Sequence, residues 1–287
     1  MRIFVTSDIH GNKALIHLAL KIVRKKQVDA LIIAGDIAPK GFYQLLKKNS
    51  GYKISSVFPV KDELLIKGNE FEIKRRLDLL GFVEQSGNSC ELSEIQSKQK
   101  EKLKEICKLL QLANIPIFLL IGNDDHIPSS DWDKVLEDFG ILNLNLKTHN
   151  LGRWRVSGFQ YVLPTPWNTN NELPEEQLAV MLRGIKRQVN EQTIFVTHGP
   201  AKNILDKLNN GLCAGSTSIR KLVEDKQPIF HIFGHIHDSF GQEKVGNTLC
   251  CNVSCLWLDR ILRGYIIDLD INTIEKIEQQ VLLDELW

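Results

Sequence analysis

Seven side chains of metal-binding type stand at the ends of short apolar runs in this chain. Residues 2–7 lead into Asp8 and His10, within SDIHG, and residues 30–34 lead into Gly35-Asp36. Residues 116–121 lead into Gly122-Asn123, and residues 193–197 into His198, within THGP. Residues 229–233 lead into Gly234-His235, with His237 two further on. One such run carries little information, because Asp, Asn and His are common just after strands. Five in succession make chance a poor explanation. Carboxylate, amide oxygen and imidazole together suit borderline divalent ions such as Mn, Fe, Ni or Zn. Two such ions roughly 3.5–4 Å apart clamp a phosphate and bring the pKa of a bridging water down to about 7. That water is then the nucleophile, and no Ser or Cys nucleophile is needed.

The elements that must position these groups are legible in outline. Apolar, β-branched runs of this length read as buried strands. Where helices cover a sheet, ligands collect beyond the carboxyl ends of its strands. The seven donors are therefore expected to converge on one rim of one sheet. Helical periodicity is expected over residues 12–26, 131–139, 175–190 and 218–225, and in a charged helix over 90–112 capped by Ser89. Residues from about 41 to 89 interrupt the pattern with a helix-like piece (42–48), a strand (52–58) and another helix (70–80). They read as an insertion into one domain spanning 1–287. Further strands are expected at 153–159, 248–253 and 263–268, whereas the turn-rich stretch 162–174 reads as loop and the chain ends in a polar tail. About nine strands with intervening helices are too many for one small sheet. The expected fold is α/β, a four-layer sandwich with two mixed sheets packed face to face and helices outside.

Composition excludes more than it identifies. A length of 287 residues with 43% apolar and 25% charged residues is ordinary for a globular chain with a real core. A net charge of +1 gives no electrostatic case for nucleic acid. No run is long enough to span a membrane, and the first residues enter a strand without a leader, so a cytoplasmic location is the expectation. The six cysteines contain no CxxC pair and are expected to be reduced, buried thiols, with Cys250 and Cys251 on opposite faces of one strand.

Taken in order, SDIHG, GD, GN, THGP and GHIH resemble the motif blocks of calcineurin-like metallophosphoesterases. The stretch from ILDKL through GSTSIRKLVED and IFGHIHDSFG to VGNTLCCNVS is similar to the predicted phosphoesterases related to the bacterial cyclic-nucleotide diesterase branch. The resemblance implies two central sheets between helices. It also implies one divalent ion, Mn foremost, on Asp8, His10, Asp36 and His237, and a second on Asp36, Asn123, His198 and His235. Asp36 is then the shared carboxylate, since only a carboxylate has two oxygens to divide between ions. Asn123 offers a carbonyl oxygen to the metal and its amide to the substrate phosphate. The third block departs from the family's usual Gly-Asn-His-Asp/Glu. Asp124 stands where a proton-donating His is common. The second block lacks the Asp-Arg-Gly continuation of Ser/Thr protein phosphatases.

The expected function is hydrolysis of a small phosphodiester at a dinuclear centre, with Asp36, Asn123, Asp124 and His198 at the reaction. A non-catalytic interaction module on the same scaffold is the alternative that Asp124 keeps open, and a DNA nuclease is disfavoured by charge. Outside the blocks, His17, His149 and His231 are expected to be structural or surface residues, and His126 is a weak candidate for the missing proton donor. Gly215 and Ser216 either present backbone N–H groups to a phosphate or simply begin a helix. Trp167 and Asn168 are expected to pack on the surface rather than to wall a pocket.

Overall fold

The computed structural model describes residues 1–48, 51–58, 63–66, 69–85 and 91–282. The chain begins with β1 (Arg2–Thr6), α1 (Lys13–Lys26) and β2 (Ala30–Ala34). There follow β3 (Gly41–Lys48), β4 (Gly51–Phe58), β5 (Glu63–Ile66), α2 (Glu70–Leu79) and β6 (Phe82–Glu84). Next come α3 (Leu92–Leu110), β7 (Ile117–Leu120), α4 (Ser129–Asp138), β8 (Leu142–Asn143), β9 (Thr148–Leu151) and β10 (Trp154–Phe159). The last part holds α5 (Glu175–Lys186), β11 (Thr193–Thr197), α6 (Thr217–Lys226) and β12 (Phe230–Phe233). It closes with β13 (Gly241–Val245), β14 (Thr248–Asn252), β15 (Ile261–Asp268) and β16 (Thr273–Gln280).

Two six-stranded mixed sheets form the centre, in the orders β16-β15-β1-β2-β7-β8 and β13-β14-β12-β11-β10-β9. Their inner strands are apolar on both faces, because one face meets the other sheet and the opposite face meets helices. In β1, Ile3 and Val5 join the core between the sheets, while Phe4 packs outward with residues of α1, α3 and α4. In β11, Ile194 and Val196 face the central core, and Phe195 packs against residues of α5 and α6. The result is the expected four-layer sandwich. Cys250 and Cys251 are buried in the outer and central cores respectively, as their adjacent places on β14 require.

Two parallel runs, β1-β2-β7 and β10-β11-β12-β14, lie at the heart of the sheets. All five metal-binding blocks follow the carboxyl ends of strands in these runs. The expectation of one rim of one sheet is corrected here. Blocks after β1, β2 and β7 belong to one sheet, and those after β11 and β12 to the other. The two rims are joined by a parallel bridge between Ser7 and Ser254, with the Cys255 N–H donating to the Ser7 carbonyl.

Between β2 and β7, which are sheet neighbours, the chain leaves to form a separate four-stranded sheet, β5-β4-β3-β6. Residues 42–48 are strand β3 rather than helix. The apolar spacing of Phe42, Leu45 and Leu46 fits either period, and antiparallel pairing with β4 decides it. The polar tail likewise holds β16, paired over eight residues with β15. The charged helix begins at Leu92 rather than 90, with Glu91 at its N-cap position; Ser89 lies outside the described residues. Among the described residues no helix is long and apolar enough to cross a membrane.

Candidate metal centre

The loops after β1 and β2 are zipped together by backbone bonds. Asp8 N–H donates to the Gly35 carbonyl at 3.0 Å, His10 N–H to Asp36 at 2.9 Å and Gly11 N–H to Ile37 at 2.8 Å. This ladder sets Asp8 and His10 beside Asp36. Asp8, His10, Asp36 and His235 all have positive φ, at 56°, 46°, 52° and 70°. For a residue with a Cβ that conformation costs about 1 kcal/mol or more, and it is retained where a site demands it. Two glycines clear space for the carboxylates. A Cβ at Gly122 would be driven into Asp36, and one at Gly234 into Ser7 and Asp8.

The seven sequence-selected side chains meet in one cluster. Asp8, His10 and His237 form one group, Asp8, Asp36 and His198 a second, and His10, Asp36 and Asp124 a third; within each, one donor atom per residue lies within 4.8 Å of the others. Asn123 Oδ1 is 2.9 Å from His198 Nε2, and that nitrogen is 3.3 Å from Asp36 Oδ2. The His235 ring stands edge-on to that of His198, with centroids 5.1 Å apart. His235 N–H donates to Asp8 Oδ2 at 3.1 Å.

The donor chemistry fits divalent ions. His198 Nδ1–H donates to the Ala34 carbonyl at 2.8 Å, and His237 Nδ1–H to that of Cys255 at 2.6 Å. Each bond leaves Nε2 as the ring nitrogen facing the cluster, the usual support for a metal-binding His. His10 is fully buried, and neither ring nitrogen has a hydrogen-bond partner. Such a group costs about 1–3 kcal/mol unless something coordinates it. An ion held by His10 and Asp36, whose Oδ2 is 3.7 Å from His10 Nε2, would remove that cost.

Protonation follows burial and charge. Burial, then the Lys40 ammonium, holds His10 well below its ordinary range, and burial pushes His235 down to about 3. Burial also raises Asp36, to about 6. For His198 burial works downward, but the Asp36 carboxylate outweighs it and pushes the imidazole up to about 10. Asp8 is raised by burial and lowered more by His237 and His198, ending below its usual value.

Three residues that sequence reasoning passed over shape the surroundings. Lys40 Nζ donates to Asp124 Oδ2 at 2.6 Å, so the carboxylate in the usual His position is paired. Asp125, fully buried, accepts from Ala38 N–H at 2.7 Å and Gly122 N–H at 2.8 Å, clamping the second block to the third. Gln99 on α3 donates to the Pro39 carbonyl at 2.7 Å and the Asp124 carbonyl at 2.9 Å, and accepts from His126 N–H. A Lys after Pro and a Gln within a charged helix carry no spacing signal. Asp125 had one, its place in GNDD.

Asn123 Nδ2 donates to Thr169 Oγ1 at 2.8 Å, which occupies part of the amide assigned to substrate. Gly215 N–H donates to Asp206 and Ser216 N–H to Pro200, while Glu175 accepts from Thr217 and Ser218 at the α6 N-terminus. That turn offers Gly215 and Ser216 no free N–H for a phosphate. His231 Nε2 pairs with the Thr197 hydroxyl and His149 with the Asn143 carbonyl, both structural, and His17 lies on the α1 surface. His126 is not among the residues lining the cavity over the cluster. That cavity, about 600 Å³, is bounded by Asp36, Lys40, Asn123, Asp124, His235 and His237 on one side and by residues 163–167 on another. Trp167 therefore walls the cavity, contrary to the surface packing expected of it.

Comparison with known proteins bears on the family and the fold. The family model described as calcineurin-like phosphoesterase matches residues 1–239. An uncharacterised protein of Methanocaldococcus jannaschii is 32% identical over 165 residues, 54% of this chain and 68% of that protein. One solved structure superimposes with a TM-score of 0.67 at 16% identity, covering 96% of this chain and 98% of the other. The crystal structure of a Thermus thermophilus protein, TT1561, superimposes with a TM-score of 0.60 at 12% identity, again over 96% and 98%. At such identities the two structures speak to the fold alone.

Proposed function

The chain belongs to the calcineurin-like phosphoesterase family, metal-dependent hydrolases of phosphoesters, and from that premise we propose that it is a dinuclear phosphodiesterase acting on a small diester. The observation that carries the reading is His10, buried without a hydrogen-bond partner and grouped with Asp8 and His237 on one hand and with Asp36 and Asp124 on the other. Asp8, His10, Asp36 and His237 are assigned to one ion, and Asp36, Asn123, His198 and His235 to the other. Mn is the first candidate, with Fe, Ni and Zn as alternatives. Two divalent ions held there supply Lewis-acid polarisation of the phosphoryl group and activation of a water.

The chain's own residues do the rest. Asp36 spans the two donor sets and fixes their separation. His198 and His237 present Nε2 because Ala34 and Cys255 hold Nδ1. Lys40 reaches the cavity with an ammonium of three donors, one of which Asp124 takes. The remaining donors suit a phosphoryl or leaving oxygen, a task for which the chain lacks the family's common His. With Asp8, Asp36 and Asp124 set against two divalent ions and Lys40, the site keeps a positive surplus, which holds an anionic phosphoryl group.

The test is a panel of phosphomonoesters and phosphodiesters assayed with Mn, Fe, Ni, Zn and Mg. Diester hydrolysis above monoester hydrolysis with at least one transition metal supports the reading. Metal-loaded protein inactive on every ester overturns it and favours an interaction module on the same scaffold.

A further inference from the structure

Trp167 is 69% exposed, an unusual place for a large apolar ring, yet the loop carrying it is tied on both sides. On the outer side Glu172 accepts from Thr165 N–H at 2.9 Å, Thr165 Oγ1–H at 2.6 Å and Thr169 N–H at 2.9 Å. Trp167 N–H donates to Thr165 Oγ1 at 3.2 Å. On the inner side the loop is bonded directly to the third metal-binding block. Asn170 N–H donates to the Asn123 carbonyl at 3.1 Å, and Asn171 Nδ2 to the Gly122 carbonyl at 3.0 Å. The backbone that carries the indole is therefore held at a set place relative to Asn123.

That place is the wall of the cavity whose floor includes Asp36, Asn123 and His235. The wall is apolar, formed by Leu163, Pro164 and Pro166 beside the indole. The Lys40 ammonium lies 6.0 Å from the centroid of the Trp167 ring. A cation suited to phosphate thus stands next to an exposed aromatic face. Aromatic rings stack favourably on such a face, and the tied loop beneath it limits the ordering cost to that of the side chain.

We propose that Trp167 is a stacking platform for a planar aromatic ring carried by the substrate, and that the diester cleaved here bears such a ring. The proposal rests on the phosphodiesterase reading and adds the class of ester. The phosphate lies over the metal donors and beside Lys40, and the ring of one ester group lies against the indole. A diester with two small alkyl groups fills the phosphate position but leaves Trp167 bare. The wall then contributes to affinity for aryl-bearing diesters and not for alkyl ones.

The experiment compares binding of diphenyl phosphate and dimethyl phosphate to the metal-loaded protein and to Trp167→Ala and Trp167→Phe, by titration calorimetry, with metal content measured for each. Diphenyl phosphate should bind about tenfold more weakly to Trp167→Ala and close to normally to Trp167→Phe. Dimethyl phosphate should bind all three within about twofold. In the unaltered protein diphenyl phosphate, and not dimethyl phosphate, should change the indole fluorescence that Trp167→Ala lacks. Diphenyl phosphate affinity unchanged in Trp167→Ala, or equal losses for both probes, overturns the proposal. Unaltered protein that takes up no metal overturns the phosphodiesterase reading, and this proposal with it.

Discussion

The Lys40 ammonium stands 2.6 Å from an Asp124 carboxylate oxygen at the edge of the cavity. Asp124 is 5% exposed at its side chain and Lys40 24%, so the pair is largely removed from solvent screening. Sequence alone suggests a lone carboxylate opposing a dianionic substrate. A unit charge about 5 Å from the phosphate, at an effective dielectric of about 20, costs roughly 3 kcal/mol. The ion pair cancels most of that.

The first prediction follows from this pairing. Lys40→Met should expose the Asp124 charge and depress turnover of p-nitrophenyl phosphate about tenfold more than that of bis-p-nitrophenyl phosphate. Adding Asp124→Asn to Lys40→Met should restore much of the monoester rate, because the two residues act as a unit. Comparing kcat/KM for the unaltered protein, Lys40→Met, Asp124→Asn and the double variant checks this. Equal effects on both esters would mean that the pair faces away from the phosphate.

Metal content should depend on the donors unequally. Asp36→Ala should lose both ions, since Asp36 joins the groups around His10 and His198. Asn123→Ala should weaken one ion and keep the other. Cys250→Ser, a change in the outer core, should leave metal content untouched while costing about 1–3 kcal/mol of stability for a buried hydroxyl. Elemental analysis of dialysed variants reads all three. Metal retained in Asp36→Ala and lost in Cys250→Ser would overturn the assignment.

Metal uptake should release protons and tighten as pH rises. In the metal-free protein His198 is pushed up to about 10, chiefly by Asp36 acting against burial, so at neutrality it carries a proton beyond the one on Nδ1. An ion on Nε2 must displace that proton. The metal-free state thus binds a proton that the loaded state lacks, from neutrality up to about pH 10. Affinity should rise up to tenfold per pH unit across that window, more steeply below about 6 where Asp36 also protonates. Calorimetry in buffers of different ionisation heat counts the protons. No proton release between about pH 6.5 and 8.5 would contradict the account.

The Asp125 clamp should matter for stability. Asp125→Asn keeps one acceptor oxygen where two serve the Gly122, Ala38 and Ile37 N–H groups, and it turns an amide NH₂ toward donors. A loss of about 1–3 kcal/mol in denaturant unfolding is expected. A change below about 0.5 kcal/mol would show that the clamp is replaceable.

The sheets and the convergence of the candidate donors were legible for one reason. A buried strand ending at a ligand writes both an apolar run and a chemical residue into adjacent positions, as at Val5-Thr6-Ser7-Asp8 and Ile232-Phe233-Gly234-His235. What escaped was set by distant partners. Residues 42–48 become strand only through pairing with β4, and Thr273–Gln280 only through pairing with β15. Lys40 and Gln99 take their meaning from Asp124, 84 and 25 residues away along the chain. The loop of Trp167 reads as surface until its bonds to Gly122 and Asn123 are known.

The central claim is that the donors around Asp36 hold two ions, and elemental analysis of Mn-loaded, gel-filtered protein tests it most directly. The account predicts close to two equivalents per chain, falling toward zero in Asp36→Ala. Fewer than one equivalent in the unaltered protein would contradict it.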